Sequence, residues 1–131
     1  MKTLIVDDEI LNCKLLQSLL KDYGECSIAK DGDLAIQLFE KALKKQEPFN
    51  LVCLDIMMPE KDGYEVLRAI RNLEQDYSLQ TAQRSRIIMI TALSERENKT
   101  KAFYENCDGY LIKPIEQKLL FEMLNKMNLV H

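Results

Sequence analysis

Apolar runs of four to six residues alternate along this chain with longer stretches in which apolar positions recur every three or four residues. Runs of the first kind suit strands buried on both faces, and stretches of the second suit helices with one apolar side, so the alternation predicts repeated strand–helix units around a parallel sheet. Five strands are expected: Lys2 to Val6, Cys26 to Ala29, Asn50 to Leu54, one beginning near Arg86, and Gly109 to Ile112. Five helices are expected between and after them: Ile10 to Tyr23, Asp31 to about Lys45, Tyr64 to Glu74, Glu95 to Asn106 and Glu116 to Asn128.

Local signals set the boundaries. Gly24 is a plausible left-handed cap for the first helix, Asp31-Gly32-Asp33 offers capping oxygens to the second, and Ser94 is the expected N-cap of the fourth. Pro59 and Asp62-Gly63 carry turn chemistry between the third strand and third helix, and the polar stretch Gln75 to Ser85 is the longest expected loop. The first helix has a wide apolar arc (Leu11, Leu15, Leu16, Leu19, Leu20), which implies more than one neighbour. On the last helix Leu119, Leu120, Met123 and Met127 share one side, whereas Phe121 falls outside that arc. Phe121 is therefore expected to be exposed, either as an anchor for a partner or second copy or as packing at the helix flank.

Crossovers between parallel strands are right-handed, so five alternating units most simply give the order 2-1-3-4-5, a doubly wound, flavodoxin-like α/β fold. That order sets strands one and three side by side, and ligands of such sheets sit outside the carboxyl ends of the strands where the order reverses. The residues at those ends are chemically distinctive: Asp7 and Asp8 after the first strand, Asp55 after the third, Thr91 after the fourth, and Lys113-Pro114 after the fifth. Three carboxylates on one rim repel each other, so either their pKa values rise or a cation compensates them. Hard oxygen donors with nothing soft nearby favour magnesium, with manganese as an alternative, and leave Thr91 and Lys113 as donors to phosphoryl oxygens.

Composition narrows the field. A chain of 131 residues fits one domain spanning 1–131, and about 68% of its unfolded surface would be buried. The formal charge is −3 and no segment is a basic block, which disfavours direct nucleic-acid binding. No apolar stretch approaches the roughly 20 residues of a bilayer span and no secretory leader is evident, so membrane insertion is not expected and a cytoplasmic location is. Cys13, Cys26, Cys53 and Cys107 are scattered without zinc-site spacing and are expected to be reduced packing residues. The sole histidine is His131, so a His-based dyad or multi-His metal site has no residues to draw on.

At these positions the chain resembles the receiver domains of two-component response regulators. The motifs are Val6-Asp7-Asp8-Glu9, Leu54 to Pro59, Asp62-Gly63, Ile90-Thr91-Ala92 and Tyr110-Leu111-Ile112-Lys113-Pro114. The resemblance implies that Asp55 accepts a phosphoryl group from phosphohistidine, and that Asp7, Asp8, Asp55 and the backbone carbonyl of Met57 hold magnesium. It also implies that Thr91 is a switch hydroxyl, Lys113 an ion-pairing ammonium, Tyr110 an aromatic whose rotamer follows phosphorylation, and Lys113–Pro114 a cis bond. The output would fall on the surface of the fourth helix, fifth strand and fifth helix. The implied partners are a sensor histidine kinase or histidine phosphotransfer protein and a downstream protein, with room for a phosphorylation-dependent homodimer. Such a protein is a signalling switch, catalysing only its own phosphorylation and dephosphorylation.

Three other readings stay open at this stage. A receiver fragment of a longer regulator or hybrid kinase would have the same sequence features, although little chain follows the last expected helix. A magnesium-dependent phosphatase with an aspartyl nucleophile would want Asp-x-Asp after its first strand, where this chain has Asp7-Asp8-Glu9. A module that keeps the fold without phosphorylation would be expected to lack one of Asp7, Asp8, Asp55 or Lys113, and all are present.

Overall fold

The computed structural model describes residues 1–92 and 106–130. Its strands are β1 (Thr3–Val6), β2 (Cys26–Ala29), β3 (Leu51–Asp55), β4 (Arg86–Thr91) and β5 (Gly109–Ile112). Four α-helices lie among the described residues: α1 (Ile10–Leu20), α2 (Gly32–Lys44), α3 (Gly63–Asp76) and α4 (Gln117–Lys126). The helix expected from Glu95 to Asn106, with its Ser94 cap, lies outside the described residues but for its last position. Among the described residues no helix is long and apolar enough to cross a membrane.

The sheet is parallel throughout in the order β2-β1-β3-β4-β5, the order that right-handed crossovers most simply give. Side chains alternate across a strand, and here the alternation sorts apolar residues into two layers. Leu4, Val6, Val52, Leu54, Ile87 and Met89 face Phe39 of α2 and Val66, Leu67 and Ile70 of α3. On the other face Ile5, Leu51, Cys53, Ile88, Ile90 and Leu111 meet Cys13, Leu16 and Leu20 of α1 and Leu120 and Leu124 of α4. Each large side chain taken fully out of water contributes roughly 1.5–3 kcal/mol, so the strands are pinned in register by what they bury.

Capping fixes where α2 and α3 begin. Asp31 accepts the Leu34 N–H at 2.8 Å and Asp62 accepts the Glu65 N–H at 3.0 Å, each stabilising its helix by about 1 kcal/mol. Several boundaries differ from expectation. The first helix is regular only to Leu20, and Lys21–Tyr23 tighten into a 3-10 turn. Gly24 is not a left-handed cap: at φ 144° and ψ −173° it occupies a region confined to glycine, and a Cβ there would fall 1.6 Å from the Met1 carbonyl oxygen. The amino terminus is tied to the same turn, its ammonium donating to the Tyr23 carbonyl at 2.9 Å. Within the stretch expected as loop, α3 runs on to Asp76 and Thr81–Gln83 form a 3-10 turn.

Two apolar faces also need correction. On α1 only Cys13, Leu16 and Leu20 are buried, while Ile10, Leu11 and Leu15 are 61%, 77% and 42% exposed. The arc is wide, but its outer part has no cover among the described residues. On α4 the buried pair is Leu120 and Leu124, and Leu119 is exposed. Phe121 is half-buried rather than exposed, because Tyr23 from the turn after α1 packs on it with ring centroids 5.3 Å apart. A helical wheel sees the stripe of one helix and not the ring that arrives from elsewhere.

Candidate functional site

The two-residue period that builds the layers also aims the site. Asp55 follows Leu51 and Cys53 on one face of β3 and is the strand's last residue. Asp7 lies two positions beyond Ile5, and Lys113 two beyond Leu111, both members of the same layer. With Val6 paired to Leu54, the strand order places Asp7 beside Asp55. Asp7, Asp8 and Asp55 each present a carboxylate oxygen, and these three atoms lie within 4.8 Å of one another. Asp7 and Asp55 are buried, with 2% of their surface exposed in each case, while Asp8 is open to solvent.

Few protein groups compensate these charges. One oxygen of Asp7 accepts the Glu9 N–H at 2.9 Å, and the buried Cys13 thiol donates to the Asp7 carbonyl at 3.4 Å. The Lys113 ammonium stands 3.2 Å from Oδ1 of Asp55, an ion-pair distance. Among the described residues Asp55 Oδ1 has the Lys113 ammonium alone beside it, and neither it nor Asp7 Oδ2 has a well-aligned hydrogen-bond donor. Buried carboxylate oxygens left in that condition are costly, and a hard divalent cation is the ligand that would satisfy two or three at once. The donor set fits magnesium or manganese.

Proton affinities reflect the same arrangement. Burial, reinforced by the Asp7 charge and opposed by Lys113, pushes Asp55 up to about 6. Asp7 is also raised, by burial above all, against the pull of the Glu9 N–H and of Lys113. Burial works against the Lys113 ammonium, but the facing carboxylates of Asp55 and Asp7 outweigh it and hold its pKa above the usual lysine value. The Cys13 thiol is pushed up to about 11 by burial and then by Asp7, which leaves it protonated as a donor.

The remaining expected residues lie around this centre. Thr91 is fully buried at the end of β4, and its hydroxyl donates to the Ala92 carbonyl at 3.1 Å. Its own carbonyl accepts the Lys113 N–H at 2.8 Å, so the hydroxyl and ammonium strands are joined at the rim. The Lys113–Pro114 peptide bond is cis. Tyr110 is half-buried on β5 against the layer that contains Met89, its neighbour across the ladder. Met57 is 61% exposed in the loop beyond Asp55. Sequence reading overlooked the contribution of Glu9 and Cys13, which act on Asp7 through a backbone N–H and a thiol. The signal available was position alone: Cys13 falls on the buried side of α1 six residues after Asp7.

A family profile for the response regulator receiver domain matches residues 3–125. Hybrid signal transduction histidine kinase I of Dictyostelium discoideum is 34% identical over 125 residues, which cover 95% of this chain and 7% of that kinase. The chain therefore spans only a small part of the curated kinase that it matches. Among solved structures, the receiver domain of a sensor histidine kinase from Pseudomonas aeruginosa, with a magnesium ion coordinated in its active site cleft, superposes with a TM-score of 0.72 at 25% identity. That match covers 95% of this chain and 94% of the other. The receiver domain of a Saccharomyces cerevisiae response regulator, co-crystallised with a histidine phosphotransfer signalling protein, reaches 0.77 at 26% identity over 99% of this chain and 92% of that one. Fold, rim chemistry and sequence agree, and the chain belongs to the response regulator receiver domain family of two-component signal transduction.

Proposed function

We propose that residues 1–131 act as one receiver unit that takes a phosphoryl group onto Asp55 from the phosphohistidine of a sensor histidine kinase or histidine phosphotransfer protein. Asp7, Asp8, Asp55 and the Met57 carbonyl would hold the magnesium that this transfer needs. The observation that carries the reading is the cluster of Asp7, Asp8 and Asp55, two of them buried, set against the Lys113 ammonium at 3.2 Å.

In the transfer an oxygen of the Asp55 carboxylate attacks phosphorus, the P–N bond breaks, and its electron pair leaves with the imidazole nitrogen, so that an acyl phosphate remains on Asp55. In the metal-free chain a pKa near 6 leaves most Asp55 ionised at neutral pH, and a cation held by the carboxylate would favour the ionised form further. A cation held there would supply positive charge to the phosphoryl oxygens. Lys113 adds a second positive field from the β5 side, and both matter because the transition state spreads charge over the equatorial oxygens. Once the phosphoryl group is in place, the Thr91 hydroxyl exchanges its bond to the Ala92 carbonyl for a phosphoryl oxygen. That movement draws the end of β4 inward and opens space for the Tyr110 ring, a two-state element biased by local charge. The result reads out on the surface around β5 and α4, where a downstream protein binds. The chemistry is directed at the chain itself, as suits a switch.

The uncovered apolar residues of α1 begin beside Glu9, next to the acids. A donor helix lying across Ile10, Leu11 and Leu15 would bring its phosphohistidine over Asp55, and this patch fits a helical phosphodonor.

Intact-mass measurement tests the assignment. With magnesium and acetyl phosphate the wild-type chain is expected to gain one phosphoryl group, and Asp55→Ala none. Equal labelling of the two would move the acceptor elsewhere, and steady turnover of simple phosphomonoesters would replace the switch with a phosphatase.

A further inference from the structure

At the rim opposite the acids, one arginine of α3 joins three segments of chain. Arg71 donates from Nε to the Asn106 carbonyl at 2.8 Å, from Nη1 to Glu74 Oε1 at 2.8 Å and the Ser85 carbonyl at 2.9 Å, and from Nη2 to Asp108 Oδ2 at 3.0 Å. Glu74 is fully buried, and its other oxygen accepts the Ser85 N–H at 2.7 Å. Asp108 is bound to the start of β4 in both directions. Its carboxylate accepts the Ile87 N–H at 2.7 Å, and its own N–H donates to the Ile87 carbonyl at 2.8 Å.

A buried ion pair is an inefficient way to stabilise a fold, since a well-packed apolar pair often does as well. What this network adds is a fixed alignment. β5 has four residues and, like β2 at the other edge, pairs with one neighbour, so its ladder alone does little to hold its register. A slip by one residue would exchange the faces of Tyr110 and Leu111, which pack in different layers. The Ile87–Asp108 bridge sits immediately before the first ladder pair, Ile88 with Gly109, and Arg71 holds Asp108 there. Five residues further on, the same strand delivers Lys113 to Asp55.

We infer that Arg71 is a positioning residue for phosphoryl transfer: by clamping Asp108 and Glu74 it sets the register of β5 and thereby the place of the Lys113 ammonium. The inference rests on the proposed role of Asp55. It predicts that the clamp matters to the chemistry only through Lys113, across the full length of β5.

A double-mutant cycle reads this directly. Arg71→Met/Glu74→Leu removes the guanidinium together with its buried counter-charge, and Arg71→Lys keeps the charge but loses the planar fork that reaches several acceptors. Each is compared with wild type, in the presence and absence of Lys113→Ala, for the rate of Asp55 labelling by acetyl phosphate with magnesium. With Lys113 present, both clamp variants are expected to label about tenfold more slowly, and in the Lys113→Ala background by less than about twofold, the signature of coupled residues. Hydrogen exchange of the Gly109–Ile112 amides is expected to quicken in both variants. An equal loss of rate in the two backgrounds would make Arg71 a general structural residue, and a wild-type rate with unchanged β5 exchange would also overturn the inference. Should wild type itself not be labelled, the proposed function fails instead. The exchange of β5 then judges the clamp alone: quickened exchange keeps the register claim, and unchanged exchange ends it.

Discussion

Asp55 holds its proton more tightly in the folded chain than an exposed aspartate does, because burial and the neighbouring Asp7 both oppose its ionisation and Lys113 only partly offsets them. The sign of the consequence follows from linkage. A carboxyl whose folded pKa lies above its unfolded value of 3.8 binds more protons in the native state between about pH 4 and pH 6, so stability falls as pH rises through that window. Above it the fold carries an ionised, under-compensated group at a cost on the order of 2–3 kcal/mol. Asp7 is shifted in the same direction and adds to the slope. Asp55→Asn keeps the shape and removes the charge, so in metal-free buffer it is expected to be more stable than wild type by about 1–2 kcal/mol at pH 7.5 and to match it near pH 4. Urea unfolding at the two pH values checks this, and a variant less stable than wild type at pH 7.5 would mean that Lys113 already compensates the charge in full.

The junction of β3 with α3 couples helix placement to the acid cluster. Gly63 opens α3, and its N–H donates to the Ile56 carbonyl at 2.9 Å. A Cβ there would stand 2.6 Å from the Asp55 carbonyl oxygen and 2.8 Å from the Ile56 Cα, both backbone atoms that cannot yield without moving Asp55. Gly63→Ala is therefore expected to lose about 2–3 kcal/mol in chemical denaturation and to weaken magnesium binding in calorimetric titration. A loss below about 0.5 kcal/mol would show that α3 shifts freely. Elements of this kind were partly legible in advance. The five strands, their order and the rim residues could be read because four of the strands carry apolar runs that lead into a residue of distinct chemistry, and β2 is a short segment between turn signals. The close approach at Gly63 could not, since Asp62-Gly63 reads as turn chemistry and the contact is tertiary. For the same reason the exposed side of α4 was misjudged: the choice between Leu119 and Phe121 is made by Tyr23. The Arg71 clamp offered a single clue, an acid at Glu74 on the face of α3 that also carries Leu67 and Ile70. Its partners Ser85, Asn106 and Asp108 come from segments whose approach no local pattern specifies.

At the scale of the whole molecule, the exposed apolar residues of α1 begin directly after the acids in the chain. Ile10, Leu11 and Leu15 cost the isolated chain exposed apolar area and gain it nothing in its own core, since the buried side of α1 is made by Cys13, Leu16 and Leu20. An uncovered apolar patch beside a reactive centre is explained if a protein donor covers it during transfer. On the proposed function the chain would then take phosphoryl groups by two routes that differ in what they need: a small donor needs only the rim, and a protein donor needs the rim and α1. Replacing Leu11 and Leu15 by Glu should separate the routes. Both side chains face solvent, so the variant is expected to stay within about 0.5–1 kcal/mol of wild type in stability. Labelling from acetyl phosphate should remain within about twofold, while transfer from phosphorylated histidine phosphotransfer proteins or kinases should fall at least about tenfold, the equivalent of roughly 1.4 kcal/mol of lost docking energy. Transfer from protein donors that is as fast in the variant as in wild type would mean that the donor approaches Asp55 from another side, and the apolar face of α1 would then have to be covered by something else.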